Sequence, residues 1–351
     1  MDLRKVQKFG KSTLMISLPA DWVKSVNLKP GTSVYIDVDE DGGLKVYPPN
    51  YNPQNMKREI LVKVSEKTDP ELLERVVRSL YVLGFDRIMV KSEDGMISND
   101  AMRKLREVSR SLIGLETVVD DLQNVEIRSY IDPARHNFNV ILNQLVNTLK
   151  LMIDYLSHGL KSGSRKFIEE ILELENEVDR LYFLGLRQLI LAQTNRGLAY
   201  IIGVTSVQII GNRIILKSLE ESADEIGEAA NELLGMPPEG LNYLREFYSA
   251  FVPIKEKMES LLTQILKLRN EWNYQVANEL MDELRVLRKS LMLELENLQN
   301  QLMGDNRKSK FAPKVVGFML RLYSAIRNLE PIAEIAMNRS LENNKEIDLR
   351  Q

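Results

Sequence analysis

From Asn137 to Arg339 the apolar residues recur at the period of the α-helix, and no other stretch limits the possible folds as tightly. Ile141, Leu145, Leu149, Met152 and Leu156 mark a first predicted helix. Phe167 to Ala192 carries a second and Ala199 to Leu234 a third, stopped by Gly235-Met236-Pro237-Pro238. Three more patterns follow, over Leu244 to Leu268, Val276 to Leu302 and Val315 to Arg339, with Gly304-Asp305-Asn306 as the last turn. Three helices, a proline break and three helices again are an internal duplication, for which two packed three-helix bundles are the simplest architecture.

Upstream the period changes. Between Arg4 and Pro48 the chain reads as strand, turn, strand, short helix, turn, strand, turn, strand. Ser12 to Leu18 alternates, with Leu14, Ile16 and Leu18 on one face, and Val34, Ile36 and Val38 repeat the two-residue period of a half-buried strand. Pro19 suits a helix start, so Ala20 to Val26 is predicted as one short helix ending before Lys29-Pro30-Gly31. Asp41-Gly42-Gly43 supplies the residues of a tight hairpin that folds Val34–Asp39 onto Leu44–Val46. Four short strands and one helix bury too little apolar surface to stand alone, so this segment implies a partner. Residues 1–29 carry six cations, Arg4, Lys5, Lys8, Lys11, Lys24 and Lys29, against Asp2 and Asp21, in a chain of net charge −3. Such a local excess marks a surface for anions or an ordinary solvated face.

Between these regions elements alternate. Glu59–Val64, Asp86–Lys91, Leu115–Asp120 and Val125–Ser129 are predicted strands; helices begin at Asp69-Pro70 and Ser98-Asn99-Asp100 and end at Gly84 and Gly114. A β-α-β-α-β-β order gives a small sheet with helices packed on it. No phosphate-cradling glycine loop and no catalytic constellation occurs there, which fits a spacer or docking domain and a protein that is not an enzyme. Residues 48–55 form a polar, proline-rich linker. The expected domains are therefore 1–49, 57–133, 134–236 and 240–345. On length alone, 351 residues are enough for two to three domains. The chain has no cysteine, which excludes disulfides, thiolate zinc sites and cysteine nucleophiles. His136 and His158 are the only histidines and stand too far apart in sequence for a histidine metal site; Trp22 and Trp272 read as packing residues. With no apolar run of about eighteen residues and no signal-peptide pattern, a cytoplasmic location is expected.

The helical half holds acidic pairs at i and i+4, which set two carboxylates one turn apart on the same side of a helix. They are Glu175–Asp179 and Glu220–Asp224, with weaker counterparts at Glu279–Glu283 and Glu330–Glu334. Glu175 and Asp179 belong to a seam with Ile168, Leu172, Tyr182, Leu186 and Leu189, while Phe167, Ile171, Leu174, Val178 and Leu181 form a second, wholly apolar stripe. Periodicity alone therefore permits two accounts. The acids either face a cation inside the bundle or lie on a face salt-bridged by Arg180, Arg187, Arg213 and Lys217.

Two resemblances bear on function. The run K-V-x-K-x-G-x-S-x-x-x-x-S-L-P from Lys5 to Pro19, Trp22-Val23, Leu28-Lys29-Pro30-Gly31 and Asp41-Gly42-x-Leu44-x-Val46-x-Pro48 resembles the AbrB/SpoVT/MazE-type swapped-hairpin DNA-binding domain. That resemblance implies a barrel built from the interleaved hairpins of two chains, hence a homodimer, with Arg4, Lys5, Lys8, Lys11 and Lys24 toward DNA. Across residues 134–345 the duplicated pattern, with E-x-x-x-D on its second helix and L-E-x-x-x-D-x-I on its third, resembles PhoU-type phosphate-uptake regulators. This one implies metal on Glu175, Asp179, Glu220 and Asp224, often iron or zinc in that family. An oxygen-only donor set favours iron, manganese or magnesium over thiolate-seeking zinc. The second repeat departs from the motif, since Glu replaces Asp at Glu334 and Pro331 interrupts a helix interior or forces the helix to start late. Joined, the two modules resemble archaeal phosphate-uptake regulators. The expectation is a cytoplasmic, dimeric regulator of phosphate homeostasis that binds DNA. The alternative is an adaptor acting on phosphate transporter components by contact, its N-terminal domain serving only to dimerise.

Overall fold

The structure, a computed structural model, describes residues 3–38, 42–48, 58–93, 95–268, 273–304, 309–342 and 347. It divides into two compact units, Met1–Met56 and Lys57–Gln351.

In the first unit β1 (Gln7–Phe9) pairs antiparallel with β2 (Thr13–Met15), setting Lys8 opposite Leu14. Gly10 turns the hairpin at φ +67°. Helix α1 (Ala20–Ser25) follows Pro19, and β3 (Tyr35–Val38) pairs antiparallel with β4 (Leu44–Tyr47). The intervening Lys29-Pro30-Gly31-Thr32 turn closes with the Thr32 N–H donating to the Lys29 carbonyl at 3.1 Å, Gly31 at φ +85°. The expected strand from Ser12 to Leu18 is shorter than its alternation suggested: the ladder stops at Met15, because Ile16, Ser17 and Leu18 find no strand to pair with in a single copy. The two hairpins are separate two-stranded sheets, so one copy forms no barrel. No described residue of this unit is buried; Phe9 is 64% exposed, Leu14 70%, Ile36 62% and Leu44 62%. The linker from Pro49 and the Asp41 position of the second hairpin lie outside the described residues, as does Trp272; Trp22 is half-buried.

The second unit begins with β5 (Glu59–Val64), α2 (Pro70–Val82), β6 (Arg87–Ser92), α3 (Asn99–Ser111), β7 (Leu115–Asp120) and β8 (Asn124–Ser129). The strands form one sheet in the order β5-β6-β8-β7, parallel between β5 and β6 and antiparallel elsewhere. Asp69 and Ser98 cap the two helices through the backbone N–H groups of Glu71 and Ala101, and Gly84 and Gly114 follow them at positive φ. Ile88, Val90, Val125 and Ile127 of the sheet pack on Leu73, Val77, Leu105 and Val108 of the helices.

Eight helices follow among the described residues: α4 (Phe138–Ser162), α5 (Arg165–Thr194), α6 (Arg196–Ile201), α7 (Gln208–Leu234), α8 (Pro238–Leu268), α9 (Tyr274–Met303), α10 (Ala312–Arg327) and α11 (Glu330–Leu341). Two predicted helices are broken. The pattern from Ala199 to Leu234 is interrupted at Gly203, whose φ of +76° ends α6 before α7 begins. That from Val315 to Arg339 splits at Asn328, and Pro331 stands in the first turn of α11, where its missing N–H costs nothing. Conversely, α8 starts at Pro238, earlier than its apolar period, and runs through Pro253. The buried residues of all these helices form one contiguous core from Phe138 to Ala336, so the two predicted three-helix halves share an interior. Ion pairs line the seam between them: Lys314 with Glu232 at 2.7 Å, Arg321 with Glu225 at 3.1 Å and Lys255 with Asp154 at 2.7 Å. No described helix is long and apolar enough to cross a membrane.

Arg187 of α5 joins the sheet layer to the helices. It is 0% exposed, and its guanidinium donates to the carbonyls of Tyr81 and Phe85 and to Asp86 Oδ1 at 2.6 Å. The next residue, Gln188, donates its amide to the carbonyls of Pro133 and His136. One 30-residue helix thus carries both this joint and the acidic pair Glu175–Asp179.

Candidate metal centre

Helices α5 and α7 lie side by side and bring their acids to a common edge of the core. One carboxylate oxygen each from Asp179, Glu220 and Asp224 lies within 4.8 Å of the others. Glu220 is 7% exposed, while Asp179 and Asp224 are half-buried. Both stripes proposed for α5 contribute: Ile168, Ile171, Val178 and Leu181 are buried, and Glu175 and Asp179 stand at the border of that core, facing α7. Glu175 falls outside the trio. It packs on Gly227 of α7, where a Cβ would collide with its Oε2, so the glycine makes room for the fourth carboxylate. Ala223 and Ala229 of α7 are both fully buried at this level.

Desolvation and crowding of like charge show in the acidities. Burial, joined by the charges of Asp224 and Asp179, pushes Glu175 up to about 7. Burial pushes Glu220 up to about 7, against the hydrogen bond from Lys217, and Asp224 up to about 6 with help from Asp179. Asp179 is also raised by burial, with Arg78 and Lys217 acting in the opposite sense. Arg78 comes from α2 of the sheet layer and rests over the Phe183 ring at 4.7 Å, one turn beyond Asp179. Its approach was not readable from sequence, where it lies about a hundred residues from Asp179.

The salt-bridge account holds only in part. Lys217 pairs with Glu220 at 2.5 Å and Glu221 at 3.6 Å. Arg180 instead pairs with Glu177, Arg187 with Asp86, and Arg213 is exposed. A clustered set of hard oxygen donors with partial protein neutralisation and a glycine-lined wall fits a hard divalent or trivalent cation. The two histidines have structural settings: His158 Nδ1 meets the Asp154 carbonyl at 2.8 Å, and the His136 carbonyl accepts from Gln188.

In the first unit Arg4, Lys5, Lys8, Lys11 and Lys24 are all exposed, the first four on or beside the first hairpin and Lys24 on α1.

Residues 7–54 match the family model described as antidote-toxin recognition MazE, bacterial antitoxin, and residues 142–233 match that of the PhoU domain. Among solved structures, the crystal structure of PhoU from Pseudomonas aeruginosa aligns with 13% sequence identity and a TM-score of 0.42, covering 59% of this chain and 96% of that one. No curated protein matches.

Proposed function

We propose that this chain, which carries a MazE-type segment ahead of a PhoU domain, is a dimeric DNA-binding regulator of phosphate homeostasis whose helical half holds a metal ion. The observation that carries the first part is the N-terminal unit with no described buried residue: Phe9, Leu14, Ile36 and Leu44 stay in water unless a second copy covers them. Interleaved hairpins from two chains would bury those side chains and unite the separate ladders in a barrel. Arg4, Lys5, Lys8, Lys11 and Lys24 of both copies would then supply a two-fold basic surface for phosphates. In the helical half Asp179, Glu220 and Asp224 would hold iron, manganese or magnesium, with Glu175 as the fourth carboxylate. A bound cation would supply positive charge that cancels the mutual repulsion of these acids. The residues themselves do the rest: Lys217 orients Glu220, and Gly227 leaves space for Glu175.

A gel-shift titration with genomic DNA fragments at several salt concentrations tests this reading. Binding that weakens steeply with salt supports it. A dimer that ignores DNA and associates with phosphate transporter components would replace it with the adaptor.

A further inference from the structure

The second repeat carries the sequence pattern of the metal centre on a third helix that is broken at Asn328, and changes its chemistry. Asp179 lies fourteen residues beyond Arg165, where α5 begins, and Arg288 lies fourteen beyond Tyr274, where α9 begins; the same offset sets Leu284 against Glu175. On the third helix, Leu219-Glu220 and Ala223-Asp224 return as Leu329-Glu330 and Ala333-Glu334. Four acids have become an apolar residue, a cation and two acids.

The structure brings two of the four together, Arg288 and Glu330. Arg288 donates one Nη to Glu330 Oε1 and the other to the Tyr323 hydroxyl, and its guanidinium carbon lies 4.8 Å from the Tyr323 ring centre. Leu284 is fully buried and Glu334 is exposed. Nor do the other acids of this repeat gather: Glu283 is held by Lys257 at 2.9 Å and Gln264 at 3.1 Å, and Glu279 is exposed. Among the described residues, the acids placed to share an ion are those of the first repeat. The second repeat does not fit a metal.

We infer that the Arg288 guanidinium is a built-in cation that does in the second repeat what a metal ion does in the first, so that ion-dependent behaviour of the helical half is confined to its first repeat. A guanidinium stays charged at all working pH values, and its planar fork fixes a carboxylate and a phenol together. Being covalently attached, it cannot dissociate when ion concentration falls. The contrast rests on the metal reading of the first repeat, but the role of Arg288 within its own repeat does not.

The test uses the full chain, stripped with chelator and titrated with Mn²⁺, alongside R288Q, R288K, E330Q and R288Q/E330Q. One equivalent of Mn²⁺ per chain is expected, unchanged in R288Q and E330Q and abolished in D179N/D224N. R288Q and E330Q should each lower the melting temperature by several degrees, the double variant by no more than the worse single one, and R288K should recover part of the deficit. Mn²⁺ should not restore R288Q relative to wild type. Two equivalents in wild type, loss of Mn²⁺ in E330Q, or additive effects of R288Q and E330Q would overturn the proposal. Wild type that takes no Mn²⁺ while R288Q and E330Q remain coupled would remove the metal reading of the first repeat and leave Arg288 as the internal cation of the second.

Discussion

Residues 3–48 and residues 58–342 face the same physical problem, keeping apolar side chains from water, and solve it in opposite ways. In the second unit a sheet layer and a shared helical core hide their own apolar residues, down to a fully buried arginine joining the layers. In the first unit the apolar side chains alternate correctly along the strands, yet none of the described ones is buried. The difference teaches that regular hairpins and turns do not amount to a folded domain; a two-stranded ladder needs another surface before its alternation becomes burial.

The largest effect should come from separating the two. Cut after Met56, the remainder should keep its melting transition and become monomeric by light scattering, while the N-terminal fragment should melt at temperatures that rise with its concentration. A helical fragment that stays dimeric breaks the comparison, because the second unit would then also depend on a partner.

Within the self-sufficient unit, Arg187→Met removes the guanidinium that donates to Asp86 Oδ1 and to the Tyr81 and Phe85 carbonyls and should cost about 3 kcal/mol or more in denaturant unfolding. Lys8→Met, at an exposed position, should stay within about 0.5 kcal/mol. Equal effects at the two sites would mean that the contrast in burial has no energetic counterpart.

The acidic edge is where the second unit departs from its own rule, since its carboxylates are buried or half-buried beside one another. Their folded-state acidities, about 7 for Glu175 and Glu220 and about 6 for Asp224, lie above those of exposed carboxylates near 4. Between those values the folded chain binds more protons than the unfolded one, so metal-free protein should lose stability as pH rises from about 4 to about 7. Asp179→Asn with Asp224→Asn should flatten that slope, abolish bound metal and remove the rise in melting temperature that Mn²⁺ gives wild type. A chelated wild type equally stable at pH 5 and pH 8 would count against crowded acids.

The smallest change sharpens the account of the first unit. Neutralising any two of Arg4, Lys5, Lys8 and Lys11 should lower the log–log salt slope of DNA binding by about 0.9 for each DNA phosphate that no longer meets a cation. An unchanged slope would put DNA elsewhere on the molecule.

Much of this was legible because the signals are local. Helix caps at Asp69 and Ser98, stops at Gly84 and Gly114, and the alternation of β5, β6 and β8 are written within a few residues of where they act. The acidic pairs were legible for the same reason, as i and i+4 neighbours on one helix. The breaks at Gly203 and Asn328 were hidden, since an apolar period can continue across a change of axis. So was the exclusion of Glu175 from the trio, which depends on how α5 meets Gly227.

The sequence by itself determined the three regions, the basic first hairpin and the acids at α5 and α7, because each follows from period, charge or spacing along the chain. Only the tertiary structure decided which charges meet. It set Arg78 of the sheet layer beside Asp179, gave Arg187 to Asp86 rather than to the acidic edge, and closed Arg288 on Glu330 and Tyr323. The physical reason is that a side chain's partner is fixed by the packing of whole helices, over separations at which no period in the sequence survives.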